Sequence, residues 1–118
     1  MSFTESLRKI MEDLEEAQGI ALVGTDGIVV EERKRDTTID LPSLGAEYCT
    51  ILKMTDKGMS SMGLGNSEEM SVLTEKAVVV IRRVHEEYFL LLAIRKEGNF
   101  GKARYLLRRE GMNLKGEF

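Results

Sequence analysis

The chain has 118 residues, of which 42% are hydrophobic and 31% charged, with one proline and a formal charge of −3. This length fits one domain, because a second hydrophobic core would need roughly 50 residues or more of its own. Acidic and basic residues are interspersed and form no basic stripe, which argues against nucleic acid as a partner. We expect a single globular domain over residues 1–118, for which a subunit interface would be a useful source of extra buried surface.

The chain carries no pattern of an export signal, a membrane span or a thiolate site. Cys49 is the one cysteine, so an intramolecular disulfide and a zinc cage built from several thiolates are both excluded. The longest aliphatic and aromatic run, Tyr88–Ile94, is far shorter than the ~20 residues that a membrane span requires. We therefore expect a soluble, cytoplasmic protein without membrane insertion.

The first third of the chain predicts a helix followed by a hairpin. Apolar residues recur with helical spacing from Phe3 to Ala17, and Gly19 ends this amphipathic helix. Two strands, Ile20–Val23 and Ile28–Glu32, then flank an Asp-Gly turn of the kind found in tight hairpins. The charged segment Glu31–Asp40 predicts an exposed loop.

A long second helix is predicted from Leu41 to Gly63, with proline in its first turn. Its core-facing stripe is predicted to consist of Leu41, Leu44, Tyr48, Ile51, Leu52, Met59 and Met62. The opposite face has small residues and few charges; it includes Ala46, Cys49, Thr50, Ser60 and Ser61. Small residues permit close helix approach, so this face either packs on another helix or is simply exposed.

The second half predicts three strands and a final helix. Glu69–Glu75 alternates in the manner of a half-exposed edge strand, whereas Ala77–Ile81 and Tyr88–Ile94 are continuous apolar runs typical of strands covered on both faces. Asn99 can cap a helix whose inward residues are Phe100, Ala103, Leu106 and Leu107. Residues 111–118 are predicted to form a short polar tail. The order indicates an α+β fold with an antiparallel sheet and layers on both sides.

The candidates for chemistry each have a simpler structural explanation. His85, the one histidine, lies at a predicted hairpin turn without a nucleophile beside it. The Gly98–Lys102 segment has too few residues between its glycines for a phosphate loop and lacks the hydroxyl residue after the lysine. The paired glutamates are adjacent in sequence and so point in different directions. We predict no catalytic residue, no metal site and no cofactor, and hence a protein that is not an enzyme.

Three segments resemble the Roadblock dynein-light-chain family. Gly19–Val30 (GIALVGTDGIVV) resembles its first hairpin, Tyr88–Ile94 (YFLLLAI) its last strand, and Asn99–Leu107 (NFGKARYLL) its N-x-G-x-x-R helix start. The likeness extends from Glu5 to Arg109. It implies a Roadblock/profilin-like α-β-β-α-β-β-β-α fold with a five-stranded antiparallel sheet. Helix 2 would then lie on one face of the sheet, and helices 1 and 3 on the other.

The resemblance also implies a dimer in which the third strands of two subunits pair edge to edge and the second helices pack antiparallel. Lys76 is the one residue at the end of the third strand that would oppose such edge pairing. The predicted dimer interface contains Ala46, Cys49, Lys53, Ser60, Met70, Val72 and Leu73. The outward residues of helix 2 are the predicted partner surface: Glu47, Thr50, Met54 and Lys57.

Family members bind small Ras-like GTPases, dynein intermediate chains or other Roadblock subunits. The chain is similar to the stand-alone bacterial members, which resemble a gliding-motility GTPase-activating partner. The leading expectation is therefore a non-enzymatic homodimeric scaffold for a small Ras-like GTPase in bacterial signalling or polarity. Arg33 and Arg35 are the candidates for an inserted arginine. Two alternatives remain open: an adaptor that binds no GTPase, and a small-ligand sensor.

Overall fold

The computed structural model describes residues 2–118 and contains three α-helices and five strands. Its elements in order are α1 (Phe3–Asp13), β1 (Ala17–Gly24), β2 (Val29–Lys34), α2 (Leu41–Ser61), β3 (Glu69–Leu73), β4 (Ala77–His85), β5 (Tyr88–Arg95), α3 (Phe100–Leu114) and a short 3-10 turn (Lys115–Glu117). The strands form one antiparallel sheet in the order β2-β1-β5-β4-β3. This architecture confirms the predicted fold class. No helix within residues 2–118 has the length and apolar character needed to cross a membrane.

The sheet is buried on both faces, which is why its central strands are almost entirely apolar. Alternate residues of β5 point to opposite sides: Leu90 and Leu92 pack with α1 and α3, whereas Phe89 and Leu91 pack with α2. All four side chains are fully buried. The predicted layers, with α2 on one face and the other two helices on the opposite face, are therefore confirmed.

The first helix is shorter than predicted, and the segment in which it ends binds Arg35. This guanidinium donates hydrogen bonds of 2.5 to 3.0 Å to the backbone oxygens of four residues, Met11, Leu14, Glu15 and Ala17. A cation also suits the negative end of a helix dipole. The helix ends at Asp13, and Ala17, predicted to be helical, pairs with Ile94 in the sheet.

The strand ends also differ from the prediction. β2 extends to Lys34, into the segment predicted as a loop, and β4 extends to His85. β3 is shorter and ends at Leu73, because Thr74 begins a tight turn in which its N–H donates to the Ala77 carbonyl (2.8 Å). His85 is therefore a half-buried strand residue and not a turn residue.

The predicted polar tail is largely structured. Helix α3 continues to Leu114, which is fully buried. Gly111 allows this, since a Cβ there would lie 3.0 Å from the Val84 side chain. Beyond the helix, the Phe118 ring stacks on His85 and Tyr88, with ring centroids 4.8 Å apart in each case. The tail prediction is wrong because Leu114 extends the buried face of α3 that includes Ala103 and Leu107.

We expect Arg35→Met to lower the free energy of unfolding by roughly 2 kcal/mol, because several carbonyl groups lose a charged donor. Chemical denaturation measures the change. Arg33→Met is the matched control: this neighbouring arginine is exposed like Arg35 but within residues 2–118 lacks the contacts of Arg35 to backbone carbonyl groups, so its replacement should change stability by less than about 0.5 kcal/mol. Equal losses in the two variants would contradict the structural role of Arg35.

Candidate functional site

Strand β3 is an unpaired edge of the sheet. Its hydrogen bonds to β4 alternate, as shown by the flanking pairs in which Thr74 N–H donates to Ala77 and Arg83 N–H donates to Glu68. In an antiparallel ladder this alternation turns the N–H and C=O groups of Glu69, Ser71 and Leu73 outward. The strand thus offers a row of backbone donors and acceptors without an intrachain strand neighbour.

The two faces of β3 differ in character. Met70 and Val72 point to the α2 face and pack, half-buried, on its hydrophobic core. On the opposite face, Glu69 binds two arginines, while the side chain of Leu73 is 66% exposed. Edge strands that are protected against pairing with another chain usually contain a proline, a bulge or a charged residue near the middle of the strand. The middle of β3 has none of these.

Helix α2 is fixed over the β1–β2 side of the sheet. Asp40 caps its N-terminus by accepting hydrogen bonds from the N–H (3.1 Å) and Oγ–H (2.7 Å) of Ser43. These bonds hold the pKa of the Asp40 carboxyl below its usual value, with the hydroxyl making the larger contribution. A Cβ at Gly45 would lie 3.2 Å from Val23, so glycine permits the close helix–sheet approach.

The buried stripe of α2 is rotated from the predicted one. Buried positions are Leu41, Gly45, Tyr48, Cys49 and Leu52. The prediction placed Ile51 and Met62 in the core, but they are 37% and 62% exposed. The hydropathy pattern does not mark this face, because the buried stripe is centred on Gly45, which has no side chain.

Cys49 does not lie on an outward face. It is 5% exposed, and its thiol donates a hydrogen bond to the Thr25 carbonyl of the first hairpin turn. The predicted orientation of this residue is therefore wrong, because the turn closes over that flank of the helix. Ala46, Lys53 and Ser60, which were predicted with it, are exposed, and their role at an interface stays a prediction.

The outer surface of α2 has two distinct strips. The first, which we call the apolar flank, contains Leu44, Ile51 and Met62. Leu44 packs partly on the same hydrophobic core as Met70 and Val72 of β3. The second, the outward strip, contains the predicted partner residues Glu47, Thr50, Met54 and Lys57, all of which are exposed or half-exposed. Sequence reasoning missed the apolar flank, although the seven-residue spacing of Leu44 and Ile51 is a sign of a helix-packing seam.

An open groove of about 760 Å³ lies at the start of β3, between the end of α2 and the middle of α3. Arg82 and Arg104 in its wall bind the two carboxylate oxygens of Glu69 at 3.2 and 2.6 Å. Arg108 and Glu68 also line it. No sequence signal pointed to this groove, because it joins three elements distant in the chain.

The arrangement contains little that could perform chemistry. Among residues 2–118, no three histidine, cysteine or acidic side chains come together as metal ligands. Arg35, a candidate for an inserted arginine, donates hydrogen bonds to the end of α1 and to the residues after it, so it is not available for that role. Arg33, the other candidate, is exposed. Burial raises the pKa of the Tyr48 hydroxyl, but this group faces the core. The features that stand out are surfaces suited to protein contacts.

Comparison with solved structures gives the same fold at full length. The chain is 34% identical to MglC from Myxococcus xanthus, with each chain covered completely and a TM-score of 0.70. A Roadblock/LC7 domain from Streptomyces avermitilis matches with a TM-score of 0.87 at 10% identity, covering 99% of this chain and 98% of that one. The gliding protein MglB from Thermus thermophilus matches with a TM-score of 0.85 at 16% identity, over 96% and 85%. No family model and no curated protein matches the sequence.

The cap of α2 gives a pH-dependent prediction. Because the folded pKa of Asp40 is lowered, its contribution to stability is present above the unfolded pKa of about 3.9 and is lost as pH falls through the folded pKa. Ser43→Ala removes the hydroxyl donor and should move the pKa of Asp40 upward, as measured by NMR titration of the carboxyl carbon. Thr37→Ala, close by but outside the cap, should leave it unchanged. An unchanged Asp40 pKa in Ser43→Ala would contradict the proposed cause.

Proposed function

The chain belongs to the Roadblock/LC7 family, and from this premise we propose that it is a homodimeric, non-enzymatic scaffold that binds and regulates a small Ras-like GTPase. The observation that carries the proposal is the combination of an unpaired β3 edge with an exposed apolar flank on α2. Both features are surfaces that a second subunit can cover. The proposed regulation works by positioning the GTPase's own catalytic groups.

The β3 edge supports pairing with β3 of a second subunit in one register. Residues whose backbone N–H and C=O groups face outward pair with one another. Ser71 can therefore lie opposite Ser71, Leu73 or Glu69 of the partner subunit. Ser71 opposite Leu73 would leave Glu69 beside the turn that follows the partner strand, without a strand residue to pair with. Ser71 opposite Glu69 would leave Leu73 unpaired. The register centred on Ser71 avoids both costs and pairs Met70 with Val72 of the partner subunit.

The α2 face supports a second contact. Leu44 of the apolar flank packs on the same hydrophobic core as the half-buried Met70 and Val72, which lie at the edge where the partner subunit would join. Ile51 is 37% exposed and Met62 is 62% exposed, so burial of these side chains would contribute about 25 cal/mol per Å² of apolar surface. This places the helix contact on the opposite flank from the one around Cys49.

The GTPase part of the proposal rests on the family resemblance and on the gliding-motility proteins among the structural neighbours. The outward strip supports it in physical terms. Glu47 and Lys57 supply charges of both signs, and Met54 is a flexible apolar side chain that is 71% exposed. A surface of this type suits protein recognition better than it suits a small ligand.

The proposed register predicts a disulfide. In Ser71→Cys the two new cysteines would face each other with Cα atoms about 5.5 Å apart, a separation within the range that disulfides span. Mild oxidation should therefore give a covalent dimer on non-reducing gel electrophoresis. Leu73→Cys is the control, since its two copies would lie roughly 13 Å apart. Efficient crosslinking of Leu73→Cys, or none of Ser71→Cys, would contradict this register.

The GTPase proposal predicts binding in a pull-down with the small GTPase encoded nearest the gene, loaded with GDP or with a GTP analogue. Met54→Lys should weaken binding by about tenfold, because it puts a charge at the centre of the outward strip. Met112→Lys is the matched control: this methionine on α3 is 66% exposed, close to the 71% of Met54. A dimer that binds the GTPase in neither nucleotide state would favour the adaptor alternative.

A further inference from the structure

We propose that the open groove at the start of β3 receives the β3–β4 turn of a second subunit, so that each subunit inserts Glu75 and Lys76 into its partner. This inference rests on the dimer proposed above. It adds a contact in the groove, which the pairing of the two β3 strands does not by itself cover. Register, charge and rigidity each support it.

The register directs the turn into the groove. With Ser71 opposite its own copy, each further residue along one strand advances one residue backward on the other. Thr74 of the partner subunit, the first residue of its β3–β4 turn, then falls opposite Glu68. The tip of that turn, formed by Glu75 and Lys76 of the partner subunit, therefore lies beside Ser67 and Asn66. Ser67 and Asn66 both line the groove. The turn is thus brought to it by strand pairing without any change of fold.

The charges on the two sides are complementary. Arg82 and Arg104 in the groove wall share the single carboxylate of Glu69. Within residues 2–118 no side-chain ion pair or hydrogen bond is made by Arg108 or by Glu68, which face the same groove. The turn brings one acidic and one basic side chain to this pair. Glu75 of the partner subunit fits Arg108, and Lys76 of the partner subunit fits Glu68.

The turn is already rigid in the single subunit, so inserting it costs little conformational entropy. The Thr74 hydroxyl oxygen accepts hydrogen bonds from the backbone N–H groups of Lys76 (3.3 Å) and Ala77 (3.1 Å). The Thr74 N–H closes the turn on the Ala77 carbonyl at 2.8 Å. Glu75 and Lys76, the two residues at the tip of the turn, are both exposed. Their side chains are therefore available for contact with a second subunit.

The test is a charge swap measured as the dimer dissociation constant, by sedimentation or by subunit exchange of labelled protein. Each contact occurs twice in a symmetric dimer, so Arg108→Glu or Glu75→Arg alone should raise the dissociation constant about tenfold. The double variant Glu75→Arg/Arg108→Glu restores opposite charges and should return to within about threefold of the natural protein. Lys9→Glu, the same charge reversal on α1, should leave the constant unchanged; α1 packs on the β1–β2 side of the sheet.

The two proposals fail in different ways. If Ser71→Cys still crosslinks while both single charge variants dimerise like the natural protein, the groove does not receive the turn, although the dimer stands. The same conclusion follows if both single variants weaken the dimer but the double variant weakens it further, since the two charges would then act independently. If no dimer forms at any concentration and Ser71→Cys does not crosslink, the dimer proposal fails together with the groove.

Discussion

Both faces of strand β5 are buried, and the need to cover both faces of the sheet determines how the rest of the protein is arranged. The residues of β5 alternate between two hydrophobic cores, so both faces of the sheet need a covering layer. Five strands spaced about 4.8 Å apart make a sheet roughly 20 Å wide, whereas one helix with its side chains covers about 10 Å. Two helices suffice for one face. On the other face α2 is alone, and it lies over β1 and β2.

The unequal cover explains why the candidate surfaces gather around β3. Seventeen buried residues form the core beneath α1 and α3, but only eleven form the core beneath α2. The thinner side ends in the half-buried Met70 and Val72 of β3, the strand whose outer backbone groups lack a strand partner. In the proposed dimer, a second copy would bring both a strand and a helix to this place. One interface would then cover both the uncovered part of the sheet and the open edge.

The sequence predicted the features that depend on local patterns. Hydrophobic patterning identified every strand, Pro42 and the Asn99 cap marked two helix starts, and β3 was correctly expected to be half-exposed at an edge. Local patterns could not predict the features that depend on contacts between segments distant in the chain. The four hydrogen bonds of Arg35 to the end of α1 and the residues that follow it, and the groove beside Arg108, each join elements separated along the chain. The rotation of α2 was missed because Gly45, at the centre of its buried stripe, carries no hydropathy signal.

The position of α2 also connects the two parts of the proposed function. In the proposed dimer the apolar flanks meet, which would bring the outward strips of both helices side by side on one surface. Met54 and the charged Glu47 and Lys57 would then recur in two copies, as a binding area that neither subunit presents alone. A partner that spans both strips binds the dimer and not the monomer, so its binding free energy adds to that of dimerisation. Dimer formation and partner binding are on this account thermodynamically linked, and a scaffold without catalytic groups could regulate its partner through that linkage.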